Sequence, residues 1–200
     1  KVNAAITTTL MLDHFKPQQV IFTGIAGGVN PNLSPGDIVI GTVVAHHDYG
    51  TITPDSMLLR PTRNPMSMIE NPIYFPGDSG LLALAARAAG TVVLDSITRQ
   101  KARTIPTITK GAIVTGDVFV SSVAATQTLR KKMNAEATEM EGAAVAQACW
   151  QQQVPFVVIR SLSDNAGDNA YDDVKKFYQI AAKNSAGLVV AILGLLAAGK

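Results

Sequence analysis

The chain has 200 residues, of which 47% are hydrophobic and 16% charged, with a formal net charge of +2. That length is enough to bury a real core and reads as one domain over 1–200. The charge is too small to argue for nucleic acid, and the basic clusters (Arg99, Lys101, Arg103 and Arg130, Lys131, Lys132) lack interleaved aromatics and read as solvated faces.

In chain order, a helix is expected over 2–15, ending at Lys16 because Pro17 biases its predecessor out of the helical region. "QVIFTGIAGG" reads as a buried strand breaking into a glycine turn, and "GDIVIGTVVAH" as a second strand. Residues 51–76 hold five of the ten prolines, so they read as a long loop with no regular helix. Helix is expected at 79–90, strand at 111–116, helix at 122–133, strand at 136–140 and helix at 142–153. "PFVVIRSLSD" (155–164) has the continuous apolar run of a strand covered on both faces. A long helix from about Tyr171 closes the chain. Its uncharged stretch, 185–199, is shorter than the roughly 18–20 apolar residues of a membrane span. A packed helix is expected there, and no membrane partner. Strands alternating with helices predict a layered α/β domain.

Cys149 is the only cysteine, which rules out an intrachain disulfide and fits a reducing compartment. A cytoplasmic location is therefore expected, with a signal peptide upstream of Lys1 left open. Within "AVAQACW" the thiol reads as buried and structural. No Cys/His cluster has metal-ligand spacing; "HHD" at 46–48 alone is weak evidence for a metal, and His47 reads as a loop histidine.

Three segments end a buried strand with chemistry-bearing residues: "FTGIAGG" (22–28), "TEMEG" (138–142) and "SLSDNAG" (161–167). Ligands of open α/β sheets sit outside the carboxyl ends of strands, and glycines there let the backbone approach a ligand closely. "GIAGG" lacks the GxGxxG spacing, and "TGIAGG" has neither the Lys nor the Ser/Thr of a P-loop. Together the three segments bring glycines, Glu139, Glu141 and Asp164 to one rim. The two glutamates would share a side of a strand but diverge on a helix.

"FTGIAGGVNPNLSPGDIVI", "TGDVFV", "ATEMEGAAVAQ" and "PFVVIRSLSDNAG", in that order, resemble the successive blocks of the nucleoside phosphorylase superfamily. Within it they most resemble the 5'-methylthioadenosine/S-adenosylhomocysteine nucleosidases, over about 1–50 and 110–198. The resemblance implies a three-layer α/β/α sandwich with a mixed central sheet, its N-terminal elements missing from this chain. It implies hydrolysis of the N-glycosidic bond of an adenine nucleoside, no metal or cofactor, and a homodimer whose partner contributes near the 5' substituent. Asp164 would be the acid at purine N7, and Glu141 would hold the ribose hydroxyls with Met140 packed against the sugar. Phe119 would stack on the base while the Val120 backbone reads its edge. Gly27 and Ala26 would line the sugar side, and Ser163 would also border the substrate. The water-activating Glu of the family precedes the block matched by Lys1, and no residue here matches it.

Phosphorylases of the superfamily resemble one another in an Arg and a hydroxyl residue where this chain has Phe22 and Ile25. Neither side chain binds an anion, so water is the expected nucleophile. Ile25 also departs from the small polar residue that nucleosidases often carry. Two alternatives stay open from sequence: a phosphate-dependent nucleoside phosphorylase, and a non-catalytic nucleoside-binding or storage protein on the same scaffold.

Overall fold

Runs of β-branched residues form the centre of the molecule, and helices rich in small residues pack against them. The computed structural model describes residues 1–99 and 102–198. In order, the elements are α1 (Val2–Phe15), β1 (Val20–Gly28), β2 (Ile38–His46), β3 (Gly50–Ile52), β4 (Met57–Leu59) and β5 (Tyr74–Pro76). There follow α2 (Ser79–Ala89), β6 (Ile97–Arg99), β7 (Ala102–Thr104), β8 (Ile108–Thr115) and α3 (Val123–Met133). The chain continues through β9 (Ala135–Glu139), α4 (Gly142–Gln151), β10 (Phe156–Asp164) and α5 (Ala170–Ala198).

The main sheet runs β10-β1-β9-β8-β2-β5, and β10 pairs with β2 as well. Five strands therefore close on themselves, and β5 hangs on the outer side of β2. The sheet is mixed: β1–β10, β2–β8 and β8–β9 are parallel, whereas β1–β9, β10–β2 and β2–β5 are antiparallel. Every residue of β10 is buried, as its unbroken apolar run requires. One layer of core joins β1, β2 and β10 to α4 and α1 through residues such as Leu12, Val39, Val145 and Val158. The other packs Ile38, Ile40, Val157 and Ile159 against Leu81 of α2 and Leu188 and Ile192 of α5.

Local chemistry sets the helix ends. Lys16 takes a left-handed conformation (φ 45°), donates its N–H to the Leu12 carbonyl and is followed by Pro17, so α1 stops there. Asp78 and Ser122 cap α2 and α3 by accepting from the backbone N–H groups of Leu81 and Ala125.

Four sequence expectations need correction. The glycines of "GIAGG" do not break β1, because Gly27 and Gly28 pair with Thr138 and Ala137 of β9. The proline-rich stretch does lack helix, yet it carries the β3–β4 hairpin and ends in β5, whose Phe75 is a core residue. Arg130 is not merely solvated: it pairs with Glu136 at 2.6 Å and donates to the Ala135 carbonyl. Arg103 is exposed, and Lys101 lies outside the described residues. Finally, α5 is 29 residues long, apolar and long enough to cross a membrane by length and composition. Only the length argument fails, since the helix packs against β10, β1 and α2 as expected. Burial also explains Cys149, whose thiol is fully enclosed and pushed up to about 12.

Candidate active site

A cavity of about 180 Å³ opens where β1, β9 and β10 end. Ala26, Gly27, Phe119, Val120, Met140, Glu141, Ser163 and Asp164 all border it, so every residue that the family resemblance assigned to the substrate lies on one rim. Ile25, Val118, Thr138, Glu139 and Val174 complete the lining. Phe22 does not reach it.

Asp164 owes its direction to an irregularity in strand pairing. Ala26 faces Leu162 but Gly27 faces Asp164, so β10 carries one extra residue, Ser163. A bulge of this kind re-aims the side chain beside it. The aspartate is 2% exposed. Its Oδ1 accepts the Ala166 N–H at 2.7 Å and its Oδ2 accepts the Ser163 hydroxyl at 2.8 Å. Gly27 is needed at this point: a Cβ there would stand 2.9 Å from both the Asp164 Oδ1 and the Ala166 Cβ. Burial raises the Asp164 carboxyl above its ordinary value, the two hydrogen bonds oppose that rise, and Asp173 at the start of α5 adds to it. The result is an acid that keeps its proton to higher pH than a free aspartate.

The two glutamates of "TEMEG" sit at a strand-to-helix junction and part company there. Glu139 ends β9 and is buried. Its carboxylate accepts from Arg160 Nη2 at 2.6 Å, from the N–H groups of Glu141 and Gly142, and from the Thr115 hydroxyl. The Thr115 oxygen in turn accepts the Ala143 N–H at 2.8 Å. The first free N–H groups of α4 are thus satisfied by Glu139 and Thr115. Glu141 occupies the N-cap position, yet makes no side-chain cap bond and is exposed on the cavity wall. Glu139, and not Glu141, therefore serves the helix terminus.

Arg160 is the partner that the sequence reading passed over. It is 1% exposed, its guanidinium lies 4.3 Å from the centre of the Phe22 ring, and a Cβ on Gly24 would come within 3.0 Å of it. An Arg inside "FVVIRSLS" was itself a signal, since a cation in a fully covered strand demands a buried acid. Phe22 therefore stacks beneath a cation and borders no ligand space. Of the two positions compared with phosphorylases, only Ile25 faces the cavity.

Phe119 and Val120 sit on the loop that leaves β8. That loop is tied at its far end to the segment after Asp164, where Ser122 N–H donates to the Ala166 carbonyl and Ser121 Oγ to the Gly167 carbonyl. Among the described residues no three His, Cys, Asp or Glu side chains gather as metal ligands do.

A closed mixed sheet thus carries a buried acid, a free carboxylate and an aromatic loop at its strand ends. The chain matches the family model of the phosphorylase superfamily over residues 1–194. It is 40% identical over 197 residues to the 5'-methylthioadenosine/S-adenosylhomocysteine nucleosidase of Psychromonas ingrahamii, covering 98% of this chain and 78% of that protein. The crystal structure of the Neisseria meningitidis nucleosidase with methylthio-immucillin-A superposes with a TM-score of 0.80 at 38% identity, covering 96% of this chain and 76% of that one. That of the Colwellia psychrerythraea enzyme with adenine gives 0.79 at 35% identity, covering 97% and 74%. The chain belongs to the 5'-methylthioadenosine/S-adenosylhomocysteine nucleosidase family.

Two stability measurements follow from this geometry. Removing one member of a buried ion pair costs about 3–5 kcal/mol, so Glu139→Gln is expected to lower the unfolding free energy by that amount, read as a lower chemical-denaturation midpoint. An unchanged midpoint would show that the pair is not what holds α4. Asp164 has a folded pKa above its unfolded one, so its contribution to stability is fully present below about pH 4 and lost as pH rises through the folded value. Asp164→Asn is therefore expected to melt higher than the parent at pH 7, with the gain vanishing below about pH 4. A variant that melts lower at pH 7 would contradict the raised pKa.

Proposed function

We propose that this chain hydrolyses the N-glycosidic bond of an adenine nucleoside of the 5'-methylthioadenosine/S-adenosylhomocysteine type and releases adenine. As the bond between the ribosyl carbon and N9 breaks, its electron pair moves onto the purine and positive charge builds on the sugar. Asp164 donates its proton to N7, so adenine departs neutral. Its burial supports this role, because a carboxylic acid that holds its proton to higher pH than a free aspartate is what general acid catalysis needs. Glu141, an acceptor-only group with no protein partner, suits two vicinal ribose hydroxyls. Met140 packs under the sugar, Phe119 covers the base and the Val120 backbone meets its edge. Water adds to the ribosyl carbon and loses a proton to solvent, and Asp164 takes one back, so nucleoside and water become adenine and free sugar.

The observation that carries hydrolysis over phosphorolysis is the charge of the cavity. Glu139, Glu141 and Asp164 border it, and among the described residues lining it there is no Lys, Arg or His. The nearest guanidinium, Arg160, is committed to Glu139. A phosphate dianion there would meet like charge in a half-buried setting with no counter-ion, which is costly.

A homodimer is the second part of the proposal. Val2, Ile6 and Leu10 expose an apolar stripe at four-residue spacing along α1, and Met66, Met68 and Ile69 are exposed in the proline-rich segment. Monomers rarely present such surface, and a two-fold dimer is the commonest closed assembly.

Incubation with 5'-methylthioadenosine in phosphate-free buffer is expected to yield adenine and a free sugar, with little change on adding phosphate. A sugar 1-phosphate, or strict dependence on phosphate, would overturn the reading. Asp164→Asn is expected to cut turnover by about 10²–10⁴-fold while nucleoside affinity stays within a few-fold. Light scattering is expected to give twice the 21.1 kDa chain mass; a fully active monomer would refute the dimer.

A further inference from the structure

The "HHDYG" stretch after β2 contributes nothing to the cavity wall, yet it grips the loop that does. His47 is half-buried with its Nε2 enclosed and, among the described residues, without a hydrogen-bond partner, and its ring is pressed against the backbone at Gly116: a Cβ there would lie 2.3 Å from two ring atoms. His47 N–H donates to the Thr115 carbonyl at 2.8 Å. One residue on, the Asp48 carboxylate accepts the Asp117 N–H at 2.7 Å through Oδ2 and the Lys1 ammonium at 2.5 Å through Oδ1. Burial works against the Asp48 charge, but these two donors outweigh it and hold the carboxyl below its ordinary value.

The next three residues, Val118, Phe119 and Val120, all border the cavity. Among the described residues their backbone groups make no hydrogen bond. Val118 and Phe119 are also more than half exposed, so packing does little to hold them. Their path is therefore set by the anchors on either side. The rear anchor is the pair of bonds from Ser121 and Ser122 to the 166–167 segment. At the front, the Gly116 N–H donates to the Glu139 carbonyl at 3.1 Å, the Lys1 amine meets the Asp117 carboxylate at 2.6 Å, and Asp48, seated beside the His47 ring, holds the Asp117 N–H, the last backbone bond before the cavity residues.

We propose that Asp48 is a positioning residue for the base end of the cavity, holding the Asp117 N–H so that Phe119 and Val120 meet the purine. This rests on the nucleosidase reading for the identity of the ligand. The carboxylate touches no substrate; it acts through the loop. A charge-assisted hydrogen bond to a backbone N–H is among the stronger ones available, and it resists the fraying of a loop with no bonds of its own. Because the loop serves the base and not the reacting bond, its loosening weakens binding of adenine and of nucleoside alike and leaves the chemical step in place.

The test uses Asp48→Ala and Asp48→Asn in the full chain, with three readouts. Hydrogen exchange of the ligand-free protein is expected to show faster exchange of the Asp117 amide in Asp48→Ala, since that N–H is the one the carboxylate holds. Calorimetry with adenine is expected to show affinity lower by about ten-fold, the scale of one lost charged hydrogen bond. Steady-state kinetics with 5'-methylthioadenosine are expected to show KM raised by a similar factor and kcat within about two-fold. Asp48→Asn keeps an oxygen acceptor for the Asp117 N–H, so it is expected to restore most of the adenine affinity. The proposal fails if Asp48→Ala exchanges and binds adenine like the parent, or if it lowers kcat and leaves KM alone. A parent that releases no adenine would refute the nucleosidase reading instead, while the exchange measurement still decides whether Asp48 holds the loop.

Discussion

The buried pair of Arg160 and Glu139 is the interaction on which the rest of the site depends. Its two side chains, each 2% exposed, meet at 2.6 Å. They join β10 to the end of β9 across β1, where Gly24 leaves space for the guanidinium and Phe22 supplies a face for it. Glu139 then closes the N-terminus of α4, helped by Thr115 from β8. Burying two charges is expensive unless the remaining lone pairs are filled, and here both carboxylate oxygens are. The N-terminal dipole of α4 adds to that stabilisation. One anion thereby sets where the strand stops, where the helix starts and which way the following acid points.

The consequence for the cavity is a division of labour between adjacent carboxylates. Glu139 is saturated by protein donors and has none left for a ligand. Glu141, two residues later, is relieved of capping its own helix and presents an uncommitted acceptor to the cavity. The run Gly142, Ala143, Ala144 keeps α4 close to the sheet: even a methyl on Gly142 would come within 3.0 Å of the Glu139 carboxylate. Asp164 is handled by a different device. A bulge at Ser163 turns it, two hydrogen bonds fix both its oxygens, and exclusion of water raises its pKa. Three acids on one rim thus carry three different environments, and environment separates their chemistry.

The same arrangement bears on how a phosphorylase superfamily member becomes a hydrolase. An anion site needs a cation that is not already paired. In this chain Ile25 faces the cavity, Phe22 lies outside it against Arg160, and that arginine is spent on structure. A neutral sugar and water fit a wall of acceptors and apolar groups better than phosphate does. The change of chemistry is a matter of a few side chains at strand ends, with the layered sheet left as it is.

Much was legible in the sequence because it depends on near neighbours. The period of apolar residues marked the helices and the core strands, prolines and capping residues marked their ends, and "TEMEG" and "SLSD" marked where strands give way to polar residues. What lay beyond reach were pairings between residues distant along the chain. Closure of the sheet by β10 on β2, the addition of β5 from within a proline-rich stretch, and the extra residue that turns Asp164 all depend on register between strands. Propensity carries no information on register. Residue type alone left the two glutamates of "TEMEG" alike; the family resemblance singled out Glu141, and contact with Arg160, 21 residues from Glu139, is what spends Glu139 on structure. The sequence by itself determined which segments fold, and which residues had chemistry to offer. The tertiary structure decided which of them are already satisfied by a protein partner, because a charge is free or spent according to what lies within hydrogen-bonding reach across strands.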